Sequence, residues 1–239
     1  MQTPVPVFEA QNLVKRFGRL SALKGINIKV HEGDFIIIFG PNGAGKTTFL
    51  KIAAMLTAPT EGSIFFRGKN IRDAGSSARS EVGFITHSTF LYQNLTAREN
   101  LRFYGRMYRL KDLDEQIGAK LEAVGLLERA DDPVKDFSRG MLQRLTIARA
   151  FLHNPFILLL DEPYTGLDRT ASEILNDLLR SFNAAHRAGL MTTHNIDQGY
   201  DIATHAAVLH KGQIQFFSNT KNITKEEFTA KYSEIVGKR

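Results

Sequence analysis

A chain of 239 residues is long enough to bury one large core or two small ones without covalent staples. It contains no cysteine, which excludes disulfides, thiolate metal sites and a cysteine nucleophile and suits a reducing compartment. The net charge of +6 allows contact with nucleotide, nucleic acid or anionic lipid and equally fits plain solubility, while residues 1–10 lack a signal-peptide pattern and no apolar run nears the length of a membrane span.

In chain order, residues up to about Val30 alternate apolar and polar, most clearly at Ile26, Ile28 and Val30. They end in the turn HEGD, which predicts a small half-buried antiparallel sheet. The next stretch, DFIIIFG, runs five apolar residues into a glycine and predicts a strand buried on both faces, as in a parallel sheet between helices. Residues 156–160 and 190–193 read the same way. Thr96 with Glu99, Thr170 with Glu173 and Thr224 with Glu227 stand at capping-box spacing and predict three helix starts. The stretch 96–142 has no buried-strand pattern and is expected to be a helical insertion in an α/β core. Behind the second start, Ile174, Leu178 and Phe182 share a face with Leu175 and Leu179, as in a helix packed on a sheet. VLHKGQIQFF predicts a hairpin turning at Lys211 and Gly212, and Phe228, Tyr232 and Ile235 a short closing helix. Arg98, Arg102, Arg106 and Arg109 are expected on one face of the helix from Thr96, opposite Leu101, Tyr104 and Tyr108. Such a strip is either a solvated charged face or a dock for acidic loops or anionic headgroups. The sequons at Asn94 and Asn222 are read as chance.

Four stretches carry chemistry. GPNGAGKTT comprises Gly40, Pro41, Asn42, Gly43, Ala44, Gly45, Lys46, Thr47 and Thr48; it satisfies G-x-x-x-x-G-K-[ST] between an expected buried strand and an expected helix. Glycine-rich turns are common, but that context makes this one a phosphate cradle: backbone N–H groups wrap phosphates, Lys46 neutralises their oxygens and the Thr47 hydroxyl suits Mg²⁺. LLLDEPYTGLD ends the second buried strand in Asp161, a metal-side carboxylate in this setting, and Glu162, placed to polarise a water; Asp168 follows. His194 ends a third buried strand and is expected at the same carboxyl edge, where open α/β sheets bind ligands. In DFSRGMLQRLTIARA, Ser138 caps a helix whose first turn lacks acid, and such a start attracts anions. The chain therefore offers a second phosphate site beside its phosphate loop.

Together GPNGAGKTT, FSRGMLQR, ILLLDEP, TGLD and TTH resemble the nucleotide-binding subunit of ATP-binding-cassette (ABC) transporters, in the family's order and over nearly the whole chain. The resemblance implies a single domain of P-loop NTPase fold with a mainly parallel sheet, an N-terminal antiparallel β subdomain and an inserted helical subdomain. The α/β core and antiparallel part would span about 5–95 and 143–220, the helical subdomain about 96–142, and the C-terminal helix 221–239. It implies ATP and Mg²⁺ as ligands, with Phe17 stacking on adenine, Thr47 and Asp161 on the metal, Glu162 as base and His194 as switch. Asp168 belongs to the loop coupling two sites. Two such subunits pair head to tail on ATP, as a homodimer or pseudo-symmetric pair, so Ser138, Arg139, Gly140 and Met141 would face the partner chain's ATP. Membrane-spanning subunits are implied as partners, with the chain peripheral at the cytoplasmic face of the membrane, and no nucleic acid is expected. The chain departs from the family pattern twice: Arg139 stands where L-S-G-G-Q has glycine, and His87 where a glutamine is usual. A neutral imidazole at His87 can still hydrogen-bond a water but is a poor Mg²⁺ ligand. THSTFLYQNLTARENLRFYGRMYRL and DDPVKDFSRGMLQRLTIARAFLHNP are similar to the haem-exporter ATPases of cytochrome c maturation; drug, lipid or polysaccharide export is the alternative, and a soluble ABC switch protein a more remote one.

Overall fold

The computed structural model describes residues 4–71, 73, 78–86 and 88–237. The alternating N-terminal run forms β1 (Phe8–Phe17) and β2 (Leu20–Val30), paired antiparallel with Phe8 opposite Val30. This sheet is completed by a segment the local pattern did not announce. Strand β4 (Glu61–Phe66) pairs with the other edge of β1 and carries the short β5 (Lys69–Asn70). Its partner lies some fifty residues away, so no hairpin turn marks the pairing in the sequence.

The second sheet has the order β10-β9-β3-β8-β7-β6 among the described residues. It consists of β3 (Phe35–Phe39), β6 (Val82–Ile85), β7 (Ile157–Asp161), β8 (Ala188–Thr193), β9 (His205–His210) and β10 (Gln213–Asn219). The β3, β6, β7, β8 and β9 pairings are parallel, and only β10 runs antiparallel, on β9. The β9–β10 turn has Lys211 at φ 49° and Gly212 at φ 84°, the left-handed pair a two-residue hairpin needs. Burial on both faces of β3 is literal: Phe35, Ile37 and Phe39 pack with the helices on one side, Ile36 and Ile38 with the antiparallel sheet and α1 (Lys46–Ala53) on the other.

The insertion holds α2 (Ala97–Met107), α3 (Leu113–Ala123) and two 3₁₀ turns before α4 (Arg139–Phe151), which packs on both α3 and β6. Thr96 and Glu99 form the expected capping box, Thr96 Oγ1 accepting from the Glu99 N–H at 3.1 Å and the Glu99 carboxylate from the Thr96 N–H at 2.8 Å. Thr224 and Glu227 do the same ahead of α6 (Lys225–Gly237), where Phe228 is fully buried. The third expected start is corrected: α5 (Arg169–Ala184) is capped by Asp168, whose carboxylate accepts from the Ala171 N–H at 2.7 Å. Thr170 and Glu173 therefore lie inside the helix, and Glu173 pairs with Arg169 at 2.8 Å. An aspartate two residues upstream is as good a cap as threonine, and the longer helix it starts buries the same face, Ala171, Leu175, Leu179 and Phe182.

The arginine strip holds for Arg98, Arg102 and Arg106, which share a face of α2 as a solvated charged face, and is corrected at Arg109. Arg98 pairs with Asp131 at 2.8 Å and Arg102 with Asp114 at 2.6 Å, while Arg109 lies beyond the helix end at φ 56°. Among the described residues no helix is long and apolar enough to cross a membrane.

Candidate functional site

Strand β3 delivers Gly40 to α1 through the phosphate-loop sequence, and the turn is built for close backbone approach. A side chain at Gly40 would strike the Leu209 carbonyl; one at Gly45, where φ is 108°, would come within 2.6 Å of the Ala22 carbonyl. Gly45 caps α1 and the first helical turn carries no acid, so its free N–H groups face a concavity of about 470 Å³. The lining includes Phe17, Pro41 to Thr48 and Glu162. Lys24, Lys211 and Gly212 also line it, and the sequence held no sign of them. They arrive because the β9–β10 turn braces the loop, the Gly212 N–H donating to the Ala44 carbonyl at 3.1 Å and the Lys24 N–H to the Gly212 carbonyl at 2.9 Å.

Lys46 is buried. Its ammonium donates to the Gly40 carbonyl at 2.7 Å and the Pro41 carbonyl at 3.3 Å, and stands 3.3 Å from Glu162 Oε1. The other carboxylate oxygen lies 2.9 Å from His194 Nδ1 and accepts from the His194 N–H at 3.4 Å. Loop lysine, strand-end glutamate and strand-end histidine thus form one continuous polar chain across β3, β7 and β8. Glu162 holds φ 49°, a left-handed conformation rare for a side chain of its size, and such strain concentrates at functional sites.

Asp161 is buried at the end of β7. Its Oδ1 accepts from Thr192 Oγ1 at 2.8 Å, and its Oδ2 is buried without a hydrogen-bond partner. An ionised carboxylate oxygen left bare in the interior is costly unless a cation meets it. Phe17 leaves 54% of its surface exposed at the rim of the concavity, with Lys15 Nζ 5.1 Å from its ring centre, a flat platform open to a planar ligand.

The signature residues are elsewhere. Ser138 caps α4 and accepts from the Met141 N–H at 3.3 Å, but none of Ser138, Arg139, Gly140 and Met141 lines the phosphate-loop concavity. Asp168 sits against them, its carboxylate occupying the space a Cβ at Gly140 would need. His87 lies outside the described residues.

A wider groove of about 710 Å³ runs between α2, α4 and β6, lined by Phe90, Tyr104, Met107, Arg149 and His153 among others. Arg149 is only 8% exposed; its guanidinium lies 5.2 Å from the Tyr104 ring centre and 5.5 Å from that of Phe90, and donates to the Phe84 carbonyl at 2.8 Å. Among the described residues no carboxylate lines the groove. His153 stacks on Tyr108 with ring centres 3.9 Å apart and donates from Nε2 to the Val82 carbonyl at 3.0 Å. Burial keeps this imidazole neutral, its pKa pushed down to about 4. Between pH 6.5 and about 4 the unfolded chain therefore binds a proton the folded chain refuses. Stability from this residue is complete above that window and falls as pH drops through it, by up to about 1.4 kcal/mol per pH unit. Denaturant midpoints measured across the window should show a slope in the wild type that His153→Gln reduces; an undiminished slope places the titration elsewhere.

Residues 23–165 match the family described as ABC transporter. The Nod factor export ATP-binding protein I of Cupriavidus pinatubonensis is 34% identical over 216 residues, covering 88% of this chain and 66% of that protein. The linearmycin resistance ATP-binding protein of Bacillus subtilis is 30% identical over 210 residues, 87% of this chain and 68% of that protein. The chain thus spans about two thirds of the length of these relatives. Among solved structures, an ATP-binding subunit of an ABC transporter superposes with a TM-score of 0.88 at 26% identity, over 96% of this chain and 99% of that one. A dimeric ATP-binding cassette in a post-hydrolysis state with ADP and Pi gives 0.80 at 28% identity, over 89% and 98%.

Proposed function

The chain belongs to the ABC transporter family, and on that premise we propose that it is the ATP-hydrolysing subunit of an ABC exporter, pairing with a second cassette on ATP and driving membrane-embedded subunits. The observation that carries the reading is the Lys46–Glu162–His194 chain at adjoining strand ends, beside a buried and half-unpaired Asp161. In the proposed mechanism Phe17 stacks on adenine, Gly40 to Thr48 wrap the phosphates, and Lys46 turns from Glu162 to the β and γ oxygens as ATP arrives. The freed Glu162 carboxylate then takes the proton of the attacking water, while His194 fixes the carboxylate and contacts the γ-phosphate. Thr47 and the bare Asp161 oxygen suit Mg²⁺, a hard cation that takes oxygen ligands and, when bound, neutralises phosphate charge. Ser138, Gly140 and Met141, with Arg139 among them at the start of α4, face the nucleotide held by the second cassette, and Asp168 links the two sites. That solved cassettes of this shape are described as dimers supports the pairing.

The domain plan proposed is an α/β core with its antiparallel sheet at about 5–95 and 143–220, a helical subdomain at about 96–142 and a closing segment at 221–239. The groove beside Arg149 suits the membrane subunits: it is apolar, lined with cations and, among the described residues, without acid, so a partner segment bearing a carboxylate complements it. Relatives named as ATP-binding proteins of export and resistance systems support such partners, and with them a peripheral place at the cytoplasmic face of the membrane.

The finer reading is haem export for cytochrome c maturation. It rests on the S-R-G-M signature and on His87, whereas the relatives above are named for Nod factor export and linearmycin resistance. Two experiments divide the levels. Purified chain that leaves MgATP intact, alone and with its membrane subunits, overturns the ATPase reading. Normal c-type cytochromes in a strain lacking the chain move the cargo to an export substrate of another kind.

A further inference from the structure

Arg139 opens α4 at a position where the family resemblance implies glycine. Its side chain does not pair with a carboxylate among the described residues, yet it is in close contact with the chain. A Cβ built on Gly166 would collide with the guanidinium, with Cζ 2.6 Å and Nε 2.9 Å from that point, so the planar group lies directly on the bare Cα. Gly166, at φ 78°, is the middle of the turn joining Glu162 to Asp168. Two hydrogen bonds shape that turn: the Thr165 N–H donates to the Glu162 carbonyl at 3.0 Å and the Leu167 N–H to the Tyr164 carbonyl at 3.2 Å. The contact is reciprocal. While Arg139 covers the glycine of the turn, Asp168 at the end of the turn covers Gly140 of the helix, holding its own α5 cap with the other oxygen.

We propose that Arg139 is a positioning residue of the hydrolysis reaction, clamping the turn from Glu162 to Asp168 onto the start of α4 so that Glu162 and Ser138 of one chain move as a unit. The inference rests on the ATPase reading above and adds a residue to it. Ser138 faces the second chain's nucleotide and Glu162 its own, so a rigid tie between them makes the arrival of one phosphate felt at the other site's base. A guanidinium does this better than an ammonium because its flat face seats on a Cα without needing an acidic partner. Geometry of this kind acts on the reacting arrangement rather than on nucleotide capture, which belongs to Lys46 and Phe17.

The test uses the purified full chain and steady-state ATP hydrolysis. Arg139→Gly should lower kcat by roughly 3- to 10-fold with little change in KM for ATP, in nucleotide affinity or in thermal midpoint, and Arg139→Lys should fail to restore it. Gly166→Ala, which puts a methyl where the guanidinium sits, should also lower kcat, and by a smaller factor when made in the Arg139→Gly background. Either of two results at Arg139 overturns the clamp in an active wild type: an Arg139→Gly variant with wild-type kcat, or Arg139→Lys at full rate while uncharged Arg139→Gln is impaired, which makes charge rather than the seat on Gly166 the working property. Strictly multiplicative losses for Arg139→Gly and Gly166→Ala overturn it as well. A wild-type chain without hydrolysis overturns the ATPase reading itself, and this proposal with it.

Discussion

Glu162→Gln is expected to bind MgATP at least as tightly as the wild type, to hydrolyse it slower by about 10²-fold or more, and to accumulate as an ATP-bound dimer. The rate follows from the loss of the carboxylate directly after β7, which on the proposed mechanism takes the proton of the attacking water, while the strand and its neighbours stay intact. The affinity follows from the ion pair. Glu162 Oε1 competes for the Lys46 ammonium at 3.3 Å, and an amide competes less, so phosphate oxygens meet a freer cation. The His194 contact survives in part, because an amide oxygen still accepts from the His194 N–H now bound to the carboxylate at 3.4 Å. The left-handed backbone at residue 162 is equally tolerable for glutamine, so thermal stability should be nearly unchanged. Single-turnover hydrolysis and nucleotide titration on the same preparation separate the two effects. A variant with near-normal turnover removes Glu162 from the role of base, and one with weakened ATP binding shows that the ion pair to Lys46 was not a competitor.

How much of this was legible in the sequence depends on how local each cause is. The buried strands β3, β7 and β8 were readable because a continuous apolar run ending in Gly40, Asp161 or His194 has few other uses. The phosphate loop was readable because backbone wrapping demands glycines at fixed offsets. Strand β4 was not, since its place is set by pairing with β1 across a long stretch of chain. The start of α5 was placed two residues late, because the capping-box spacing of Thr170 and Glu173 drew attention from Asp168, an equally good cap. The arginine strip was legible up to the helix end, but the carboxylates that take up Arg98 and Arg102, Asp131 and Asp114, come from segments outside that helix and left no local mark. The seat of Arg139 on Gly166 and the bracing of the loop by Lys211 and Gly212 are contacts between distant turns, with no local sequence pattern.

Replacing Ser138 by a bulky residue should leave ATP binding to single chains nearly intact while removing both dimer formation and turnover. Within one chain Ser138 caps α4 and lies outside the concavity that holds Lys46 and Phe17, so on the proposed mechanism it does not reach the nucleotide assigned to those residues. Its helix start carries no acid in the first turn, and on the proposed pairing the anion it meets is the phosphate held by a second chain. A two-fold pair makes two composite sites, each with the phosphate loop of one chain and the signature of the other, so neither chain is competent alone. Wild-type ATPase activity per chain should therefore rise with protein concentration until dimers saturate. The substitution costs the cap as well, about 1 kcal/mol if the new side chain cannot accept from the Met141 N–H, too little to unfold the chain and readable as a lowered thermal midpoint. Mixing the Ser138 variant with Lys46→Ala chains forms some pairs holding one intact site, and recovered activity in the mixture assigns the serine to the opposite chain's ATP. Specific activity independent of concentration, together with an active Ser138 variant, would show instead that each chain completes its own site.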